Sequence, residues 1–351
     1  MKRYRVGILG ATGVVGQRLV QLLHNHPWFD LEELVASERS SGRPYGEVVS
    51  WHAPVPVPAR AAALVVKPLA PDLECDFVLS ALDAKVAGKA ETSFAAAGYP
   101  VVTNARQHRL DGDVPLLIPE VNPDHLAILP HQRSLRHYTS GLLATNPNCS
   151  AVGLALVLKP LQDAFGIIEV SVVTMQALSG AGIQGVSAMT ILDNVLPHIP
   201  GEEGKVETES AKILGDLADN HFVFSDMRIS AQCNRVAVAD GHTEAVSVRL
   251  KRTASAEELH QALADFSAEP QRLQLPTAPP HPIQVFTVPD RPQPLLDREA
   301  SRGMTVSVGN IRPCAVLDWK FTVLVHNAVR GAAGAALLNA ELLATQGYLD
   351  R

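Results

Sequence analysis

The sequence contains few cysteines for its length, and they lie far apart. The 351 residues include four, at Cys75, Cys149, Cys233 and Cys314, and no CxxC pair. This spacing argues against a disulfide framework and against a zinc site, so we expect no bound metal. Scattered thiols are typical of proteins in a reducing compartment, and we therefore predict a cytoplasmic protein.

Long apolar runs and an excess of positive charge are also missing. No run is apolar enough to span a bilayer, and residues 1–5 lead into only a short apolar strand, unlike a signal peptide. The net charge of −6 argues against a nucleic-acid partner. An apolar fraction of 46% and a charged fraction of 19% describe a globular chain, long enough for two domains. We expect an enzyme that acts on a small molecule.

A glycine-rich turn follows the first predicted strand. Residues 5–9 are apolar, GATGVVG occupies positions 10–16, and a helix is predicted from residue 17. A strand, a GxxGxxG turn and a helix in this order are typical of a dinucleotide site, in which the helix N-terminus faces the phosphates. The alternative is a tight turn without a ligand. The residues predicted to bind the cofactor here are Gly10, Thr12, Gly13, Val14 and Val15.

The polar loop after the second predicted strand, residues 31–36, indicates which dinucleotide binds. An NAD site normally places an acid here to bind the ribose diol. This loop instead offers hydroxyl groups and cations that suit a 2′-phosphate, with Ser37, Arg39 and Ser40 as the predicted ligands. We therefore predict NADP, although Glu38 keeps NAD open as an alternative. Ser80, at the end of the predicted strand 76–81, is expected beneath the cofactor.

The stretch TNPNCSAVG, residues 145–153, places a cysteine at the start of a helix. Pro147 ends the preceding element, Asn148 is a favourable N-cap, and residues 151–161 are apolar and compatible with a helix. The positive end of the helix dipole favours a thiolate at Cys149, and the first backbone N–H groups suit an oxyanion. We interpret Cys149 as a nucleophile, with a small buried thiol as the alternative.

Polar residues of the second half follow predicted strands and one helix start. Gln176 ends the predicted strand 167–177, before a loop that contains Ser179 and Gly180. An antiparallel section is predicted from residue 227, with a hairpin turn at residues 240–241. His242 follows that turn, which makes it the acid/base candidate for a cysteine nucleophile.

Charged residues elsewhere have simpler interpretations when taken alone. Glu202 begins a predicted helix, and Lys205 follows at i+3, where a solvated ion pair is the simpler interpretation. Arg106 and Arg109 follow the predicted strand 99–103, and either could clamp an anion, although a surface arginine is the more ordinary outcome.

Together these motifs resemble the aspartate-semialdehyde dehydrogenases, in the branch typical of archaea and fungi. The resemblance covers nearly the whole chain and rests on GATGVVG (10–16), NPNCS (146–150), QALSGAG (176–182), GEEGK (201–205), CNRV (233–236), DGHTE (240–244) and HNAVRG (326–331). It implies an α/β fold with a Rossmann-like doubly wound parallel sheet in residues 1–149. It also implies an α+β catalytic and dimerisation domain with a mostly antiparallel sheet in residues 150–325, and a C-terminal helix in 326–351 that packs back on the first domain. A homodimer or homotetramer is expected.

The resemblance implies NADPH-dependent conversion of L-4-aspartyl phosphate to L-aspartate 4-semialdehyde and phosphate, on the route to lysine, threonine, methionine and isoleucine. Cys149 would form a thioester, His242 would act as acid/base, and Gln176 would hold the acyl group. The substrate ligands would be Arg235 for the carboxylate, Glu202 or the adjacent Glu203 for the ammonium, Lys205 and Arg109 for phosphate, and Asn148 beside them. Ser179, Gly180 and Asn327 would line the cofactor. The loop 104–109 departs from the family pattern at Arg106 and Gln107, which replace a small Ser-Ala pair.

Other acyl reductases of similar build are the nearest alternatives. A malonyl-CoA or succinyl-CoA reductase would share the cysteine, the histidine and NADPH but would need no ammonium ligand such as Glu202. N-acetyl-γ-glutamyl-phosphate reductase fits less well, because its cysteine neighbourhood differs from NPNC. A non-catalytic NADP-binding paralogue would not need Cys149 and His242.

Overall fold

The computed structural model describes residues 2–53, 55–182 and 185–350. Its first sheet is built from short apolar strands, most of them buried on both faces, as expected for parallel strands covered by helices. All neighbouring strands are parallel, in the order β2-β1-β3-β4-β5. The strands are β1 Tyr4–Leu9, β2 Phe29–Val35, β3 Phe77–Ser80, β4 Pro100–Thr103 and β5 Leu142–Thr145. The strand order reverses direction between β1 and β3, and ligands of such sheets bind at that switch point.

Helices connect these strands, and the glycine-rich turn joins β1 to the first of them. The helices are α1 Val14–Leu23, α2 Tyr45–Val48, α3 Ala59–Ala63, α4 Ala84–Ala96 and α5 Leu129–Arg136. Gly10 has a φ of +83°, and a Cβ there would lie 2.6 Å from the carbonyl oxygen of Ala81. The end of β3 therefore lies against the turn, and only glycine fits at position 10.

The second sheet has six strands and mixed pairing, and a separate two-stranded hairpin accompanies it. The strands are β6 Ile167–Gln176, β7 Asp216–Ala218, β8 His221–Val223, β9 Arg228–Arg235, β10 His242–Leu250, β11 Ile283–Phe286, β12 Val306–Pro313 and β13 Trp319–Val325. The sheet order is β11-β12-β13-β10-β6-β9. Its centre is antiparallel, from β12 to β6, and both edge pairs are parallel. The expected fold class is confirmed.

The predicted hairpin at residues 240–241 is wrong. Gly241 has a φ of +98°, so the chain does turn there. However, β9 and β10 are not neighbours, because β6 lies between them and pairs in parallel with β9. As a result, the ends of β6 and β9 and the start of β10 meet at one end of the sheet, which brings Gln176, Arg235 and His242 together.

The remaining helices include one that packs against the second sheet and one that completes the core of the first sheet. They are α6 Cys149–Phe165, α7 Ala188–Ile191, α8 Glu202–Ile213, α9 Ala256–Ala264, α10 Glu269–Arg272, α11 Pro294–Asp297 and α12 Gly334–Thr345. Helix α6 is apolar and almost entirely buried, and it shares a core with β6, β10 and β13. Helix α12, preceded by the π-helical turn Val329–Ala333, contributes Ala336, Leu337 and Leu343 to the core of the first sheet.

A buried ion pair fastens the start of this last helical segment. Arg330 donates to both carboxylate oxygens of Glu120, at 2.8 and 2.7 Å, and the two side chains are 1% and 0% exposed. Bidentate geometry of this kind gives the strongest charge-assisted hydrogen bonds. The part of the chain that the structure describes has no helix with the length and apolar character needed to cross a membrane.

Candidate active site

The N-cap of α6 places the cysteine as predicted. The Asn148 side-chain oxygen accepts hydrogen bonds from the backbone N–H groups of Ser150 and Ala151, at 3.0 and 3.3 Å. Cys149 is therefore the first residue of α6, and the residue as a whole is half-buried. The cap also uses two of the N–H groups that the sequence had suggested for an oxyanion. The helix N-terminus thus offers fewer free donors than expected, because its own cap occupies them.

The thiol of Cys149 and the imidazole of His242 form a contact pair. Sγ lies 3.1 Å from Nε2 of His242, whose ring is buried. Burial raises the pKa of the Cys149 thiol to about 12, and the nearby Glu202 carboxylate adds to the rise, while Arg109 and Arg235 oppose it. Cys149 is therefore a protonated thiol near pH 7, and any reaction of its sulfur as a nucleophile requires the loss of that proton.

A backbone amide sets which nitrogen of His242 carries the proton. The N–H of Ala177 donates to Nδ1 at 3.0 Å, so Nδ1 is an acceptor there. Burial and the charge of Arg235 lower the His242 pKa to about 3, so the ring is neutral near pH 7. Its single proton is then on Nε2, directed at Cys149. His242 therefore faces the sulfur as a hydrogen-bond donor.

Arg235 lies beside this pair, close under the loop that contains Gly180. Nη1 of Arg235 donates to the carbonyl of Ala177 at 2.7 Å, and the residue is 6% exposed. A Cβ on Gly180 would lie 3.0 Å from Nη1 of Arg235 and 3.3 Å from Cε1 of His242. The backbone at Gly180 therefore covers both side chains closely.

Helix α8 brings the predicted Glu202 and Lys205 to the same site. Glu202 accepts from Nδ2 of Asn148 at 2.6 Å and from Nζ of Lys205 at 2.8 Å. Burial raises the pKa of Glu202, but the hydrogen bonds from Lys205 and Asn148 outweigh it, and the pKa is lowered overall. Glu203 faces away and accepts from the backbone N–H of Cys233 at 3.2 Å. Of the two acids, Glu202 is the one beside the cysteine.

Arg109 also reaches the site, whereas Arg106 does not. Arg109 is 8% exposed and pairs with Glu209 of α8, at 3.0 Å between Nη1 and Oε1. Arg106 is exposed at the surface. Glu209 was not singled out from the sequence, and the available signal was its position seven residues after Glu202, on the same face of α8.

The glycine-rich turn leaves open space at the N-terminus of α1. A Cβ on Gly13 would meet only the carbonyl oxygen of Gly10, at 3.6 Å, and no side chain caps the helix. Thr12, Val14 and Val15 of the same turn are all half-buried. The free N–H groups and the open space fit a dinucleotide pyrophosphate.

The other predicted cofactor residues differ in how far their side chains are exposed or engaged in hydrogen bonds. Ser37 and Arg39 are exposed and Ser40 is half-buried, after β2. Asn327 donates to the hydroxyl of Ser179 at 2.8 Å and accepts from the N–H of Gly241 at 2.9 Å. The hydroxyl of Ser80 instead donates to the buried Glu91 at 2.6 Å, so it is not presented to a ligand.

Gly331 is a further residue beside Cys149 that the sequence did not reveal. A Cβ there would lie 2.7 Å from Cβ and 3.0 Å from Cα of Cys149. The segment before α12 therefore packs directly against the cysteine. Only the motif HNAVRG suggested that this segment matters, and nothing in it indicates the contact.

Glu244, two residues after His242 on β10, is a buried acid. It is 0% exposed, and neither carboxyl oxygen has a hydrogen-bond partner within the described chain. Burial raises its pKa well above the ordinary value of a glutamate. The folded protein therefore holds a proton that the unfolded chain releases above about pH 4.3, and stability falls as the pH rises through that window.

We expect Glu244→Gln to stabilise the protein in a pH-dependent way. The neutral amide has nearly the same shape, so the variant should gain about 1.4 kcal/mol of relative stability per pH unit above the glutamate's unfolded pKa, up to its folded pKa. Urea denaturation of both proteins at about pH 5.5 and about pH 8 measures this. An equal difference at both pH values would mean that the folded carboxyl is ionised at both.

The fold and site define a class: a dinucleotide-dependent oxidoreductase with a cysteine–histidine centre. The family model described as "Semialdehyde dehydrogenase, NAD binding domain" matches residues 5–129, and "Semialdehyde dehydrogenase, dimerisation domain" matches residues 158–330. The chain belongs to the aspartate-semialdehyde dehydrogenase family, as its similarity to curated relatives shows.

The chain is similar to these relatives over nearly its whole length and theirs. The chain is 49% identical to the aspartate-semialdehyde dehydrogenase of Archaeoglobus fulgidus, over 97% of this chain and 98% of the relative. It is 46% identical to that of Schizosaccharomyces pombe, over 98% and 99%. Among solved structures, the aspartate semialdehyde dehydrogenase of Candida albicans with NADP has a TM-score of 0.92 at 43% identity, covering 99% of this chain and 100% of that chain. The expected family, in its archaeal and fungal branch, is confirmed.

Proposed function

We propose that this protein converts L-4-aspartyl phosphate to L-aspartate 4-semialdehyde and phosphate with NADPH, by way of a thioester on Cys149. The observation that carries this proposal is the contact of Cys149 with His242 at 3.1 Å, flanked by Glu202 and Arg235. A nucleophile with the Glu202 carboxylate and the Arg235 guanidinium beside it suits a substrate with both an ammonium and a carboxylate group. A CoA thioester of malonate or succinate has no ammonium group for Glu202.

NADP is the proposed cofactor. Its pyrophosphate would bind at the open N-terminus of α1, and its 2′-phosphate would bind Ser37, Arg39 and Ser40. Arg43 is less available, because it lies 3.7 Å from Glu47. NADPH, when bound, supplies the hydride that reduces the acyl group. Ser179, Gly180 and Asn327 would line the nicotinamide end, since the backbone at Gly180 covers His242 and Asn327 donates to Ser179.

The residues of this chain perform the remaining steps. Sγ of Cys149 forms a bond to the acyl carbon as the bond from that carbon to the phosphate oxygen breaks, and the departing phosphate takes the thiol proton, since Nε2 of His242 already carries one. The product is a thioester, which accepts a hydride far more readily than a free carboxylate does. The Nε2–H of His242 lies where it can donate to the carbonyl oxygen as negative charge develops. After reduction, collapse of the thiohemiacetal releases the aldehyde and the cysteine. Gln176 would hold the acyl group.

Substrate recognition divides between the strand ends and α8. Arg235 would bind the α-carboxylate, since only one of its nitrogens is bound to Ala177. Glu202 would bind the ammonium, held in place by Asn148 and Lys205. Lys205 and Arg109 would bind the phosphate. Asn148 would support the site indirectly, by capping α6 and by holding Glu202, because these two contacts occupy its side chain.

We also propose the domain division and the assembly state. Residues 1–149 would bind NADP, residues 150–325 would carry catalysis and dimerisation, and residues 326–351 would complete the first domain. The open face of the second sheet supports a homodimer, or a tetramer built from two, because Val173 of β6 and Ala245 of β10 are exposed there. Reducing conditions such as the cytoplasm suit four cysteines that form no disulfide.

The reverse reaction tests the proposed function. Purified protein is incubated with L-aspartate semialdehyde, phosphate and NADP, and NADPH absorbance is followed. We expect a rate that requires phosphate and that is much lower with NAD. Turnover of NADPH with malonyl-CoA, but none with the semialdehyde, would instead assign the protein to the CoA-dependent reductases and would refute the role of Glu202.

A further inference from the structure

One face of α8 carries charged side chains beyond those assigned to the substrate. Positions 202, 205, 209 and 212 follow a helical spacing and share that face. Lys212 is 1% exposed and donates to the backbone carbonyls of Arg109, Asp111 and Val114 at 2.8–2.9 Å. The loop that carries Arg109 is therefore fastened to this helix.

Glu209 links this loop to the cysteine. Its carboxylate, 3% exposed, accepts from Nη1 of Arg109 at 3.0 and 3.2 Å. The same carboxylate accepts from the backbone N–H of Asn148, the residue before Cys149, at 2.5 Å. One side chain thus fixes the guanidinium relative to the first residue of α6.

This contact determines which edge of the Arg109 guanidinium is available. Nη1 is taken by Glu209, and Nη2 donates once, to the carbonyl of Asn104 at 2.7 Å. Nε is buried and has no partner among the described residues. Nε and Nη2 share one edge of the guanidinium, and an edge of this kind can bind two oxygens of a phosphate side by side.

We propose that Glu209 is a positioning residue for the phosphate subsite. It holds Arg109 so that the Nε edge faces the leaving phosphate at a fixed distance from Sγ of Cys149. The inference rests on the proposed function, because that function makes the anion a phosphate. Misplacement of a binding group by about 1 Å is enough to lower a rate up to a hundredfold.

Glu209→Asp is the informative variant, because it keeps the charge and changes only the reach. A carboxylate shorter by one methylene cannot hold Arg109 and the N–H of Asn148 together. We expect kcat/KM for phosphate in the reverse reaction to fall about tenfold, while KM for the semialdehyde changes less than about twofold. Glu207→Asp is the matched control on the same helix, since Glu207 binds only the backbone N–H of Ala231 in the described contacts. It should behave like the wild type.

A double-mutant cycle shows whether Glu209 acts through Arg109. In an Arg109→Met background, Glu209→Asp should have no further effect on kcat/KM for phosphate, because the group that it positions is gone. An equal loss in both backgrounds, or equal losses for phosphate and semialdehyde, would overturn the inference. An unchanged kcat/KM for phosphate in Glu209→Asp alone would overturn it as well.

A binding measurement separates this inference from the proposed function. Phosphate should protect Cys149 from alkylation by iodoacetamide, and Glu209→Asp should raise the half-protecting phosphate concentration about tenfold. Wild-type protein without phosphate-dependent turnover would refute the proposed function, while the protection assay would still test Glu209. Normal wild-type turnover with identical protection in Glu209→Asp would refute only the role of Glu209.

Discussion

Replacing Cys149 by serine is expected to lower kcat of the reverse reaction by about ten-thousandfold or more, the loss seen when a catalytic nucleophile is removed. A serine hydroxyl is a far weaker nucleophile than a thiol at neutral pH, and it has no strong base beside it here. His242 cannot take this role in its observed state, because Nδ1 accepts from Ala177 and the Nε2 proton already faces residue 149.

The same variant should still bind NADPH, because Cys149 lies outside the glycine-rich turn. Cofactor fluorescence measures this binding, and steady-state kinetics measure the rate. Cys314→Ser is the matched control, since Cys314 lies between β12 and β13 and shares no contact with Cys149 in the described structure. Activity of Cys149→Ser within tenfold of the wild type would rule out a thioester. No wild-type activity at all, with normal NADPH binding, would favour a non-catalytic paralogue.

Arg330→Met is expected to lower the free energy of unfolding by about 3–5 kcal/mol. The change leaves the Glu120 carboxylate, 0% exposed, without its partner. Denaturation by urea measures the loss, with Trp28 and Trp51 beside the first core and Trp319 beside the second as fluorescent reporters.

A second substitution separates the unpaired charge from lost packing. Glu120→Leu combined with Arg330→Met removes both charges, and the double variant should recover most of the stability lost by Arg330→Met alone. A double variant that is as unstable as the single one would show that the length and packing of the arginine matter more than the ion pair. The rate of the reverse reaction is measured for the single and the double variant in the same samples, at urea concentrations below the denaturation midpoint.

Local features of the fold could be predicted because the residues that cause them are neighbours in sequence. The turn at Gly10 and the N-cap at Asn148 each depend on a few adjacent residues. The pairing of strands, in contrast, depends on segments that are far apart in the sequence. A turn motif at residues 240–241 specifies a change of direction, but β10 pairs with β6, more than sixty residues before it, and with β13, almost seventy residues after it. The parallel pairing of β9 with β6 likewise cannot be predicted from the residues around either strand.

The candidate site shows the same limit. Cys149 and His242 could be proposed separately from their motifs, but nothing local predicts that they meet. Glu209 contacts Arg109 across one hundred positions, and Gly331 approaches Cys149 from the far end of the chain. Each of these residues is ordinary in its own stretch, and its importance comes only from which distant segment packs on it.

The packing of the last helical segment has a consequence for biosynthesis. A ribosome delivers the glycine-rich turn and Cys149 early, but Ala336, Leu337 and Leu343, which complete the first core, emerge almost two hundred residues later. Until then the nascent chain exposes an apolar surface, and the cysteine lacks the backbone of Gly331 against it. The core of the first sheet is therefore incomplete, and Cys149 lacks its final surroundings, until residues 331–343 have been synthesised.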